Sequence, residues 1–128
     1  MVVIKNTWYE LVETSHYIIF YEHFKSSEEE YRTKIAQVGI WKRDVIKKLL
    51  RRFNLSFENS KVEIHDIIIA MRIYLAMKVL SSIKRPELKY KLIDVVSTIP
   101  DEEVLFWAWK VSSNGRGTSA FKVLYELS

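Results

Sequence analysis

Apolar residues recur along much of this chain at intervals of three and four, the spacing of one face of a helix. Over residues 8–24, Trp8, Leu11, Val12, Ile18, Ile19, Phe20 and Phe24 cover a wide face. Thr7-x-x-Glu10 has the form of a capping box opening that helix. Residues 17–21 also read as a buried strand, but the periodicity on either side favours helix. Ser27-x-x-Glu30 opens a second helix running through Ile35 and Val38. It places Glu28, Glu29 and Glu30 in the first turn, where the macrodipole favours negative charge. Gly39 either breaks this helix or lets another element approach closely. Ser60-x-x-Glu63 opens the most apolar segment, residues 62–83, where 15 of 22 positions are apolar and occur nearly all round. A helix of that kind belongs at the centre of a bundle or at a subunit interface. Pro86 suits the first turn of a further helix to Thr98, and Pro100-Asp101-Glu102-Glu103 starts another over 102–111. Asn114-Gly115-Arg116-Gly117 is the one clustered turn signal, and a short last helix ends at Leu127. The prediction is a compact all-α single domain, 1–128, of about six helices wrapped around the helix at 62–83.

One predicted helix, residues 41–53, differs from the rest. It holds Lys42, Arg43, Lys47, Lys48, Arg51 and Arg52 against a single acid, Asp44. At 100° per residue Trp41, Val45, Leu49 and Phe53 fall on one side, and Arg43, Lys47, Lys48 and Arg51 on the other. One face enters a core while the opposite face presents a row of cations. Lys and Arg near a helix C-terminus are locally favourable and charged faces are commonly just solvated. Six bases with one acid, however, repel one another unless an anion is present. The charge is also segregated along the chain. Residues 1–30 carry two Lys and six Glu, and residues 31–61 carry nine bases and two acids. Such a face attracts polyanions through backbone phosphates, with salt dependence and little sequence preference. The turn 114–117 reads as a helix–helix connection or as an anion site in which Arg116 adds charge, and Lys110 just before it extends the patch.

Composition excludes several classes. There is no Cys, so disulfides and thiolate metal sites are ruled out. The chain shows no HExxH and no phosphate-loop pattern. Glu13-x-x-His16 is half of a di-metal motif without its second half, so the three histidines read as surface or hydrogen-bonded core residues. Asp66, Asp94, Glu102 and Glu103 form no recognisable metal constellation. The expectation is a protein that is not an enzyme and needs no metal or cofactor. The aromatics read as core, with Trp8, Trp41, Phe106 and Trp107 inward and Tyr31 and Tyr90 as the exposed exceptions. Abundant Lys, Arg, Glu and Ile with few Asn and Gln resemble a thermophile's usage. The N-terminus lacks a signal-peptide layout and the apolar stretch at 67–77 is too short and too charged to span a bilayer, so the expected location is the cytoplasm.

Two resemblances follow. Ala36-Gln37-Val38-Gly39-Ile40 followed by Val45 and Leu49 resembles a helix-turn-helix, which would turn Lys42, Arg43 and Lys47 toward a DNA groove. Its Ala-to-Gly spacing is one residue short, which favours backbone contact over base reading. The whole profile, with the Asn114-Gly115-Arg116-Gly117 turn ahead of Ala120-Phe121, is similar to the small all-helical subunits of CRISPR effector complexes. That resemblance implies a non-catalytic subunit holding guide–target or displaced strands by their phosphates. It also implies protein partners, several copies of the chain itself among them. The alternatives are a helix-turn-helix regulator and a protein–protein adaptor.

Overall fold

A computed structural model describes residues 1–83, 85, 87–112 and 120–128. The predicted turn at 114–117, with Arg116, lies outside them. The first 64 residues do not form the predicted all-α bundle, and the fold is α+β. Strands β1 (Thr7–Glu13), β2 (Tyr17–Lys25) and β3 (Glu30–Gly39) form a meander. A single 3-10 turn, Ile40–Lys42, leads into helix α1 (Arg43–Arg52). Strand β4 (Lys61–Ile64) then returns to pair with β1, giving an antiparallel sheet of order β3-β2-β1-β4. Helices α2 (Ile67–Leu80), α3 (Leu88–Thr98), α4 (Asp101–Ser112) and α5 (Ala120–Leu127) complete the chain.

The three apparent capping boxes are turn and strand chemistry. Ser26 Oγ accepts from the Glu29 N–H at 3.0 Å, closing the β2–β3 hairpin beside the predicted cap at Ser27. Asn59 and Ser60 both have positive φ (53° and 65°), as a two-residue hairpin between Glu58 and Lys61 requires. Serine and threonine hydroxyls serve backbone N–H groups at hairpins as readily as at helix starts, so the same letters fit both. Thr7 and Glu10 lie within β1, and Glu10 turns outward to His23. The cap that does operate is Asp66, whose carboxylate accepts from the Ile68 N–H at 2.9 Å to start α2.

The strands follow from alternation together with β-branched and aromatic content. Tyr9 and Leu11 of β1, Ile18 and Phe20 of β2, Ala36 and Val38 of β3, and Val62 and Ile64 of β4 are buried beneath the helices. The opposite face carries Trp8, Val12, Ile19 and Tyr21, themselves apolar, so the alternation is hidden in the sequence. That face is organised by polar and ring contacts. His23 stacks on Trp8 with centroids 5.0 Å apart and meets Glu10 at 3.2 Å, and the Arg32 guanidinium lies 3.6 Å from the Tyr21 ring. Helix α2 is the predicted central element in shortened form. Ten of its 14 residues are buried, and it packs on β1, β3 and β4 below and on α3 and α4 beside it. No helix among the described residues is long and apolar enough to cross a membrane.

Gly39 resolves in favour of close approach. It ends β3 with φ −65°, and a Cβ added there would overlap the Trp41 indole. Trp41, predicted inward, is 74% exposed and free to swing away. Gly39→Ala therefore moves the indole rather than the backbone, and urea unfolding should show a change below about 1 kcal/mol.

Candidate nucleic-acid interface

Helix α1 forms over Arg43–Arg52, within the predicted 41–53, and Val45 and Leu49 face inward as predicted while Trp41, in the preceding 3-10 turn, does not. Val45, Ile46, Leu49 and Leu50 are buried. The C-terminus is closed by Asn54 at φ 59°. Its N–H donates to the Arg51 carbonyl at 3.1 Å, and the Leu55 N–H donates to the Leu50 carbonyl at 2.9 Å. This is a Schellman motif, with Asn54 supplying the left-handed residue. The helix is thus fixed at its end and along its apolar side, which makes its outer face rigid. Lys47, Lys48, Arg51 and Arg52 fall within an arc of about 140° on that outer face.

The six predicted cations do not act alike. Lys42 is buried, and its ammonium donates to the Leu80 carbonyl at the end of α2. Burial, and then the charge of Lys89, push its pKa down. Lys42 is therefore a structural clasp on an orphan helix carbonyl and not a phosphate ligand. Arg43 is half-exposed but turned back to the sheet, where its Nε meets Glu13 Oε1 at 2.7 Å. Arg52 pairs with Asp94 of α3 at 2.6 Å in an exposed ion pair. Lys47, Lys48 and Arg51 remain, and no acidic partner is found for them among the described residues. Asp44, one turn earlier, lies in the first turn of α1, where the dipole favours it. Lys110 is exposed on α4, 5.5 Å from the Trp107 ring and 5.6 Å from the Phe106 ring. Helix α4 packs on α2 and α5, while α1 packs mainly on α3, so Lys110 is not brought to the α1 row.

What the structure adds to the row is α3. Lys48, Arg51 and Arg52 line an open cleft of about 370 Å³ together with Tyr90, Ile93 and Asp94. On the other flank, Lys47 and Arg51 border a hollow of about 140 Å³ with Leu55 and Phe57. Asp94 and Ile93 gave no functional signal in the sequence, because their meeting with α1 depends on how two helices 36 residues apart in the chain pack. Tyr90 and Tyr31 are the exposed aromatics the sequence predicts, at 49% and 51%. Trp107, predicted inward, is 46% exposed, and Trp8 and Phe106 are half-buried.

The remaining candidate chemistry disperses. His16 is exposed, His65 pairs with Glu63 at 3.2 Å on the surface, and His23 is enclosed by Trp8 and Glu10. Among the described residues no group of His, Asp or Glu is arranged to hold a metal ion. Asp66 is engaged as the α2 cap and Asp94 with Arg52. The helix-turn-helix reading loses its first helix, since Ala36, Gln37 and Val38 lie in β3. Comparison with protein-family models, with curated proteins and with solved structures finds no match.

Proposed function

We propose that this protein is a non-catalytic nucleic-acid-binding subunit that grips the phosphate backbone through the outer face of α1. The observation that carries the reading is the row Lys47, Lys48 and Arg51, which has no acidic partner among the described residues and stands on a helix anchored by four buried residues and a closed C-terminus. Three cations held within one helical turn cost mutual repulsion, and a polyanion relieves it. Side chains of this kind read charge and spacing, not base edges. Of the CRISPR effector subunits that the sequence resembles, only the backbone grip carries over. The all-helical profile is replaced by a sheet, and the 114–117 turn lies outside the described residues. Exposed Trp41, Val95 and Trp107 offer apolar surface to neighbouring protein subunits.

With three phosphate contacts, log K should fall against log salt with a slope of about −2 to −3. Raising salt from about 50 to 200 mM then weakens binding roughly 16- to 64-fold. The charge reversal Lys47→Glu/Lys48→Glu/Arg51→Glu should cost about a hundredfold in affinity at 0.1 M salt and abolish most of that slope. All three side chains lie on the solvent side of α1, so the melting temperature reports whether the fold is retained. Fluorescence anisotropy with DNA and RNA of unrelated sequences checks this. Equal affinity and slope for wild type and the reversed variant would overturn the reading.

A further inference from the structure

We infer that the cleft between α1 and α3 takes one unpaired nucleotide of a single strand, its base stacked on Tyr90 and its phosphate held by Lys48 and Arg51. This rests on the backbone-gripping reading of α1 and goes further, because a phosphate row alone does not distinguish single strands from duplexes.

Tyr90 stands on the first turn of α3 with 49% of its surface in water. Its ring is one wall of the cleft, the buried Ile93 is part of the apolar floor, and the α1 cations form the opposite wall. The volume, about 370 Å³, falls at the lower end of the range for small-ligand sites. An exposed ring flanked by cations is the combination by which proteins hold single strands without reading sequence, since every base has a face to stack and every nucleotide a phosphate.

The ring is not bare. Lys48 Nζ lies 4.2 Å from its centroid, held by the negative face of the aromatic system. Exposed cation–ring contacts of this kind are weaker than the stacking of a base on an aromatic side chain. A base arriving at Tyr90 therefore displaces the ammonium. The released Lys48, on a flexible four-carbon stem, is then one side-chain swing from the phosphate of the same nucleotide. Lys48 in the free protein occupies the place of the base. The Arg52–Asp94 pair closes the end of the cleft at 2.6 Å and keeps the Asp94 carboxylate neutralised beside the incoming phosphate. A duplex offers the same phosphates to Lys47, Lys48 and Arg51 but keeps its bases stacked inside, so it leaves Tyr90 unused.

The test compares wild type, Tyr90→Ala and Tyr90→Phe against three probes of equal length at one salt concentration. The probes are a single-stranded oligothymidylate or oligouridylate, the same strand with abasic sites throughout, and a duplex. Tyr90→Ala should weaken binding of the single strand about tenfold or more and that of the duplex less than twofold. Tyr90→Phe should retain wild-type affinity, and wild type should bind the abasic strand as weakly as Tyr90→Ala binds the normal one. The salt slope should be the same for all three proteins. Equal losses on single strand and duplex, or wild-type binding that ignores the missing bases, would overturn the stacking site while leaving the phosphate row standing. No binding of any probe by wild type would overturn both readings at once.

Discussion

Replacing Arg72 with methionine should lower the stability of this fold by about 4 kcal/mol, among the largest effects available at a single position. Arg72 stands in the middle of the apolar helix α2 and is buried. Its Nη1 donates to the Val96 carbonyl at 2.9 Å and to the Ile99 carbonyl at 2.8 Å, and its Nη2 meets Asp101 at 2.6 Å. The two carbonyls need this donor. In a continuing helix the Val96 oxygen would accept from residue 100, but residue 100 is proline and has no N–H. The guanidinium thus satisfies the end of α3 and joins it to the start of α4. Methionine fills the volume and leaves both acceptors without their donor, at about 1–3 kcal/mol each. Asp101 is 68% exposed, so its share is small, and Asp101→Asn should cost less than about 1 kcal/mol. Lysine at 72 should recover only part of the loss, because a single ammonium does not reproduce the planar fork. Urea unfolding of the four proteins checks the order. A methionine variant within about 1 kcal/mol of wild type would show that the carbonyls find other partners.

Arg72 also marks how much of the architecture the sequence carries. As a charge inside an apolar helix it interrupts the pattern visibly. Helices α2 and α3 lie within the predicted segments, and α4 overruns its predicted 102–111 by one residue at each end, because periodicity and proline punctuation agree there. The sheet is hidden for a physical reason. Its outer face presents Trp8, Val12, Ile19 and Tyr21, so β1 and β2 lack a clean polar alternate and their apolar residues fit three- and four-residue spacings as well as two. The serines and threonines that would have marked the hairpins fit capping boxes equally well. Only the pairing of Tyr9 with Glu22, Leu11 with Phe20 and Leu11 with Val62 decides, and pairing across strands is not a local property.

The candidate site divides in the same way. That α1 is a helix, amphipathic and cationic, is a local matter, and the sequence shows it. Which cations are free is not. Helical projection places Arg43 with Lys47 and Arg51, but the sheet end supplies Glu13 and withdraws it. Lys42 lies in the 3-10 turn before α1, where the side chain is directed inward to Leu80, and no projection of a regular helix gives that direction. The cleft depends on α3 docking beside α1, so Tyr90 is legible as an exposed ring but its partner Lys48 is not.

Wild-type protein should lose stability steeply above pH 10, and Tyr9→Phe should remove much of that loss. Tyr9 is fully buried against Phe20 and Phe121, and its hydroxyl donates to Glu22 Oε2 at 2.7 Å. Burial first, then the Glu22 charge, then the hydrogen bond to it raise the pKa of the phenol well above the ordinary 10.0. The unfolded chain therefore gives up this proton at lower pH than the folded chain. Above pH 10 the unfolded state binds fewer protons, and stability falls by about 1.4 kcal/mol per pH unit until the folded pKa is reached. Tyr74, raised by burial and by Glu22, adds a contribution of the same sign. Lys42 acts oppositely: its lowered pKa makes stability rise with pH up to the ordinary 10.5. The variant separates these effects. Tyr9→Phe keeps the ring contacts with Phe20 and Phe121 and removes only the hydroxyl. It should cost about 2 kcal/mol at pH 7, the value of a buried hydrogen bond to a charged group. Its stability should then decline less above pH 10 than wild type, so that the two curves converge as pH rises. Urea unfolding followed by circular dichroism between pH 7 and 11.5 measures both. Parallel curves over that range would show that the Tyr9 proton is not what holds the sheet to α5 through Glu22, whose carboxylate also accepts from the Ala120 N–H at 3.4 Å.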